Sequence, residues 1–111
     1  MKMYGIKNCN SVQKAIQALN NKGFVFDFLD IKKLDEDTLN SWLEKRKVQD
    51  FINSGGMTAR KLGLNKKKIE GLDENELKNL VLNNPSLIKR PVIFFEDVIF
   101  ISKEYENFLY N

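Results

Sequence analysis

Two four-residue apolar runs, Val92-Ile93-Phe94-Phe95 and Val98-Ile99-Phe100-Ile101, face each other across the acidic pair Glu96-Asp97. No segment constrains the fold of this chain more. A run of four cannot cross a membrane, which takes about 20 apolar residues. Two runs separated by two polar residues instead form a β-hairpin. With both strands almost continuously apolar, the hairpin is expected inside a sheet covered on both faces. Pro91 opens it, where a missing amide does little harm. The rest of the chain must supply the remaining strands and the helices that cover them.

Upstream, Met1 to Ile6 alternates and reads as a short first strand. From Asn10 the pattern changes, and Val12, Ala15, Ile16 and Leu19 share one helical face. Gly23 can end that helix in the left-handed conformation. Phe24, Phe26 and Phe28 alternate with Val25 and Asp27, predicting a second strand running to about Asp30. Asp35 is a plausible N-cap for a helix burying Leu39, Trp42 and Leu43. The Asn53-Ser54-Gly55-Gly56 loop allows a tight turn and a close backbone approach, and a short helix follows around Ala59 to Leu64. Asp73-Glu74-Asn75-Glu76 resembles a capping box ahead of Leu77, Leu80 and Val81, and Pro85 interrupts that helix. Ser102 can cap a last helix carrying Tyr105, Phe108 and Leu109. The Phe-rich strands (Phe24, Phe26, Phe28, Phe94, Phe95 and Phe100) read as core. The order is β-α-β, helices, then β-β-α, with no internal repeat. The expected fold class is α/β: a mixed four-stranded sheet in a thioredoxin-like layout, one domain over residues 1–111 with a helical insertion at about 35–88.

Composition narrows the chemistry. The 111 residues include no histidine and one cysteine. Ser-His-Asp and Cys-His hydrolase schemes are therefore out, as are His-ligated zinc, an internal disulfide and any metal site needing several thiolates. No metal and no bound cofactor are expected. One thiol, arginines, carboxylates and the backbone remain. A lone thiol and an N-terminus without a signal-peptide stretch point to the reducing cytosol, hence a cytoplasmic protein. A net charge of +3 suits anionic small molecules or acidic partners. The basic and acidic residues are interspersed, and Arg60-Lys61 with Lys66-Lys67-Lys68 reads as a solvated face rather than a nucleic-acid patch. Neither nucleic acid nor membrane is an expected partner.

Cys9 lies between the first strand and the first helix, where unpaired amides and the positive helix end favour a thiolate. The competing reading is a small residue filling an apolar gap. Lys7 adds positive charge nearby. The segment Tyr4-Gly5-Ile6-Lys7-Asn8-Cys9-Asn10-Ser11-Val12-Gln13-Lys14-Ala15 resembles the active-site segment of the arsenate reductase (ArsC)/Spx family, especially its small YffB-like members. Asn53 to Leu62 and Pro85 to Ile93 resemble that family in the same order, so the likeness spans nearly the whole chain.

The resemblance implies that Cys9 is a nucleophilic thiol and that Arg60 and Arg90 bind an oxyanion or the activated thiol. It also implies that Arg90-Pro91 is a cis peptide. Guanidinium groups stay charged and offer a planar fork of donors suited to a tetrahedral oxyanion. The alternatives are ordinary surface arginines and a trans proline at a strand start. Spx-type members carry a CxxC pair, and Val12 stands where its second cysteine belongs. Arsenate reductases of the family have a third arginine near the last helix, and Lys103 takes that place, a weaker oxyanion ligand because it has no bidentate fork. The implied activity is an arsenate reductase-like thiol oxidoreductase. With no second protein thiol, it needs an external one of the glutathione or glutaredoxin type as co-substrate. A second implied function is a Spx-like regulator binding the C-terminal domain of the RNA polymerase α subunit.

Overall fold

The computed structural model describes residues 1–110. Its backbone contacts divide the chain into two compact units, one of residues 1–31 with those from Arg90 onward, the other Lys32–Lys89.

The first unit is built on four strands, β1 (Lys2–Gly5), β2 (Asp27–Asp30), β3 (Val92–Phe95) and β4 (Val98–Ile101), in the order β2-β1-β3-β4. β1 runs parallel to β2 and antiparallel to β3, which pairs antiparallel with β4, so the sheet is mixed. The crossover from β1 to β2 is made by helix α1 (Asn10–Asn21). A 3₁₀ turn, Ser102–Tyr105, and helix α7 (Glu106–Leu109) follow β4. Met3 and Ile93, paired across β1 and β3, share a core with Val12, Ala15 and Leu19 of α1 and with Tyr105 and Leu109. Burying each such aliphatic side chain is worth about 1.5–3 kcal/mol. Phe24, Phe95, Phe100 and Phe108 border this core in edge-to-face and tilted contacts, with ring centroids 4.7–5.6 Å apart.

Three expectations need correction here. The second strand begins at Asp27, not Phe24. Lys2 pairs with Asp27, so Phe24 to Phe26 have no β1 residue opposite them. Phe24 is instead part of the α1 terminus: its amide donates to Leu19 O while that of Gly23 (φ +82°) donates to Asn20 O, a Schellman cap. The hairpin is not covered along its whole length. β3 is an inner strand, but β4 is an edge strand with Val98 half exposed beside the turn. Ser102 does not cap a helix. It sits at φ +57° within the 3₁₀ turn, and Glu104 Oε1 accepts from Ile101 N at 2.8 Å instead. The turn itself is as expected. Glu96 and Asp97 both have positive φ, the backbone of a two-residue type I′ hairpin.

The second unit is helical: α2 (Glu36–Leu43), α3 (Val48–Phe51), α4 (Met57–Lys61), α5 (Lys66–Glu70) and α6 (Glu74–Asn83). Asp35 and Asp73 cap α2 and α6 by accepting from Thr38 N and Glu76 N, each at 2.8 Å. Pro85 opens a 3₁₀ turn after α6. Trp42 stacks on Phe51 with centroids 5.3 Å apart, and Leu39, Val48, Leu77, Val81, Leu87 and Ile88 are buried. α3 and α5, four and five residues long, had no apolar period long enough to be read in advance. No helix among the described residues is long and apolar enough to cross a membrane.

Candidate active site

Cys9 is the N-cap of α1, with extended backbone (φ −85°, ψ 128°) and a carbonyl that accepts from Gln13 N at 3.0 Å. Its own amide donates to Ile6 O at 3.1 Å, closing the turn that leaves β1. Gln13 Nε2 donates to Lys7 O and ties the turn to the helix. Gly5 lets α1 come close to the end of β1. A Cβ there would lie 2.8 Å from Val12 Cγ2, inside any ordinary contact. The thiol is free and half-buried, bordering the apolar core.

The Arg90–Pro91 peptide is cis. Pro91 O accepts from Ser102 N at 2.8 Å, which joins the start of β3 to the turn after β4. Arg90 is half-buried, and its guanidinium donates toward the Cys9 sulfur. Burial is the largest single influence on the thiol and pushes its pKa up. The Val12 amide, the Arg90 hydrogen bond, the Ser11 amide and the Arg90 charge act the other way and together prevail, so the thiol lies below its ordinary value. The Cys9 side chain makes no geometrically complete capping hydrogen bond. Donors at a helix start act mainly on the anion, whose charge attracts them more strongly.

The two residues that follow Cys9, Asn10 and Ser11, line a cleft of about 290 Å³. Asn10, Ser11 and Lys14 of α1 form one wall, and Arg90, Pro91, Ser102, Lys103 and Tyr105 complete it. Three cations line the cleft and no carboxylate does. Ser102, held at positive φ, is the kind of locally strained residue that clusters at functional sites. Thus Arg90, Pro91 and Lys103 line one cleft of the sheet unit, whereas Cys9 is not in its lining and is connected to it through Arg90. Arg60 belongs to the helical unit, exposed in the last turn of α4, and is not in this lining. Lys14, Ser11 and Tyr105 were not anticipated as part of the site. Lys14 could have been found from its place five residues after Cys9, on the helix that Cys9 caps. Tyr105 read only as core, and burial, with Glu106 and Tyr110 nearby, raises its pKa. Among the described residues no group of three or more His, Cys, Asp or Glu side chains could hold a metal ion.

Residues 4–109 match the model of the ArsC family. The chain belongs to the ArsC family. Among solved structures, it is similar to a YffB protein (34% identity, 97% of each chain, TM-score 0.76). It is also similar to a possible arsenate reductase from Streptococcus mutans (31% identity, 96% of this chain and 95% of that one, TM-score 0.78). An arsenate reductase (ArsC) related protein from Brucella melitensis gives 30% identity over 96% of this chain and 92% of that one, with a TM-score of 0.76. The α/β sheet is the thioredoxin-like fold of ArsC-family structures. Family and similar structures together support a thiol oxidoreductase-like family.

Proposed function

We propose that this ArsC-family chain is an arsenate reductase-like oxidoreductase in which Cys9 is the only redox residue and an external thiol completes each turnover. The observation that carries this reading is the Cys9 sulfur itself, held at the start of α1 with the Arg90 guanidinium beside it and a cationic cleft adjoining. A thiolate is the nucleophilic form of cysteine, so donors that favour it prepare the attack.

In the arsenate reaction the Cys9 thiolate displaces water from protonated As(V), with Arg90 and Lys103 as counter-charges to the oxyanion. An external thiol then attacks the Cys9-bound adduct, and arsenic leaves as arsenite with two more electrons. Cys9 is left in a mixed disulfide, which a second external thiol or a glutaredoxin cleaves. The sum is arsenate plus two thiols giving arsenite, one disulfide and water. A reducing compartment such as the cytosol would supply those thiols, and glutathione is the type expected. Thiolate–disulfide exchange on a glutathione mixed disulfide uses the same groups without arsenic. The family resemblance also assigns oxyanion binding to Arg60, which the variant Arg60→Ala tests separately from Arg90→Ala.

The decisive assay is reduction of arsenate and of glutathione disulfide, with glutathione and glutaredoxin added, by wild type and by Cys9→Ser. Wild type is expected to turn over at least one of them and the variant neither. Equal rates in both proteins, or no turnover by wild type, would overturn the proposal.

A further inference from the structure

The net charge of +3 is not spread evenly along the chain. Residues 51–69 hold five cations, Arg60, Lys61, Lys66, Lys67 and Lys68, and no carboxylate. The other 92 residues carry 13 cations against 15 carboxylates, so the basic character of the molecule is confined to α4, α5 and their link. That link is short and ordered. Gly63, at φ +69°, donates its amide to Arg60 O, Leu64 N donates to Ala59 O, and Asn65 caps α5 by accepting from Lys68 N at 2.8 Å. Ala59 and Ile69 are the buried residues of the two helices, and all five cations are exposed. Lys68 Nζ donates to Gly63 O at 2.9 Å. Among the described residues no carboxylate pairs with Arg60, Lys61, Lys66 or Lys67. Apolar side chains stand among these charges. Met57, 72% exposed, precedes Arg60 and Lys61 by three and four residues and so shares their helix face, and Leu62, 41% exposed, ends the helix.

We propose that α4 and α5 form a docking surface for an acidic segment of another protein. In this arrangement Met57 and Leu62 cover an apolar side chain of the partner, and Lys61, Lys66 and Lys67 face its carboxylates. Charge complementarity selects the partner: unpaired cations of one sign attract an acidic surface and repel a basic one. The exposed methionine adds an adaptable apolar contact, and Met and Arg are both enriched at the centres of protein interfaces. A nucleic acid fits less well. Residues 52–69 contain no aromatic side chain on which a base could stack. A membrane surface also fits less well, because helices of five residues each offer no long apolar face to bury among lipids. The surface lies wholly in the helical unit and involves neither Cys9 nor the cleft lined by Arg90, so it stands apart from the redox reading.

The test uses the full chain and fluorescein-labelled probes read by polarisation. The probes are a short Asp- and Glu-rich peptide bearing leucines, the same peptide with serine for leucine, its Asn/Gln counterpart, and single-stranded oligothymidylate; anionic phosphatidylserine vesicles are tested by sedimentation. The acidic leucine peptide is expected to bind most tightly, with affinity falling as salt screens the lysines. In wild-type protein, backbone amide shifts on adding this peptide should centre on residues 57–68. Lys61→Gln, Lys66→Gln and Lys67→Gln should each weaken it roughly two- to fivefold, the range for one solvent-accessible ion pair, and the triple variant further. Met57→Gln should weaken the leucine peptide and leave the serine peptide unchanged. All four side chains are exposed, so the variants should fold, as circular dichroism will check. Arg60 is left intact because oxyanion binding is assigned to it above. Absent peptide binding, binding unmoved by the lysine and methionine variants, or shifts centred on the Arg90 cleft would overturn the inference. So would tighter binding of the oligonucleotide or the vesicles, which would assign the surface to a different class of partner. None of these results bears on the reactivity of Cys9.

Discussion

Replacing Gly5 by alanine puts a methyl carbon 2.8 Å from Val12 Cγ2 and 3.1 Å from Val12 Cγ1, both on a fully buried and stiff side chain. Real Cβ atoms do not approach to 2.8 Å, so either α1 must retreat from β1 or Val12 must leave its preferred rotamer. Overpacking of this kind costs about 1–3 kcal/mol. The alanine also restricts the unfolded chain, returning about 0.4–1 kcal/mol. The net expectation is a loss of roughly 1–2 kcal/mol. At this chain length each kcal/mol lowers Tm by roughly 4–6 °C. Urea denaturation of wild type, Gly5→Ala, Val12→Ala and the double variant measures it as a double-mutant cycle. Because the two side chains compete for one space, the double variant should be more stable than the sum of the single effects, with a coupling of roughly 0.5–3 kcal/mol. The Val12 amide is among the groups that favour the Cys9 thiolate, so Gly5→Ala should also move the Cys9 alkylation midpoint to higher pH. Additive stabilities, or a Gly5→Ala protein as stable as wild type, would refute the close approach of α1 to β1.

Alkylation of Cys9 by iodoacetamide should show a midpoint below that of a free thiol, and Arg90→Ala should shift it upward because both a hydrogen bond and a positive charge are lost. An unchanged midpoint would separate Arg90 from the sulfur. Folding linkage has a definite sign at this residue. With the folded thiol lowered, the unfolded chain binds more protons between the two pKa values, so stability rises with pH across that window. This contribution is lost as pH falls through the folded value, and Cys9→Ser should flatten that part of the profile. Tyr105 acts in the opposite sense. Its pKa is raised from 10.0, chiefly by burial, so stability should fall as pH climbs above 10, and Tyr105→Phe should blunt the fall. Asp73→Ala removes the oxygen that accepts from Glu76 N at 2.8 Å and should cost roughly 1 kcal/mol in the same denaturation assay.

Local chemistry was legible in the amino-acid order. Asp35 and Asp73 cap helices because a carboxylate two or three residues from a free amide finds it whatever the rest of the chain does. Gly23 ends α1 because glycine reaches φ +82° without a Cβ penalty, and Glu96-Asp97 turns between two apolar runs that pair with each other. The position of Cys9 at the start of α1 is local too, fixed by the change from strand to helix period. Strand register and edge position were not legible. The register of β1 against β2 leaves Phe24 to Phe26 outside the sheet, and the place of β4 at the edge exposes Val98; both depend on which strands lie alongside. The guanidinium of Arg90 reaches a sulfur 81 positions earlier in the chain only because β3 and β1 are neighbours. Lys14 and Lys103 share a cleft for the same reason: the turn after β4 folds back beside the first turn of α1. An element's own residues set its type and its ends, whereas the cleft's charge and volume come from side chains far apart in sequence that only packing brings together.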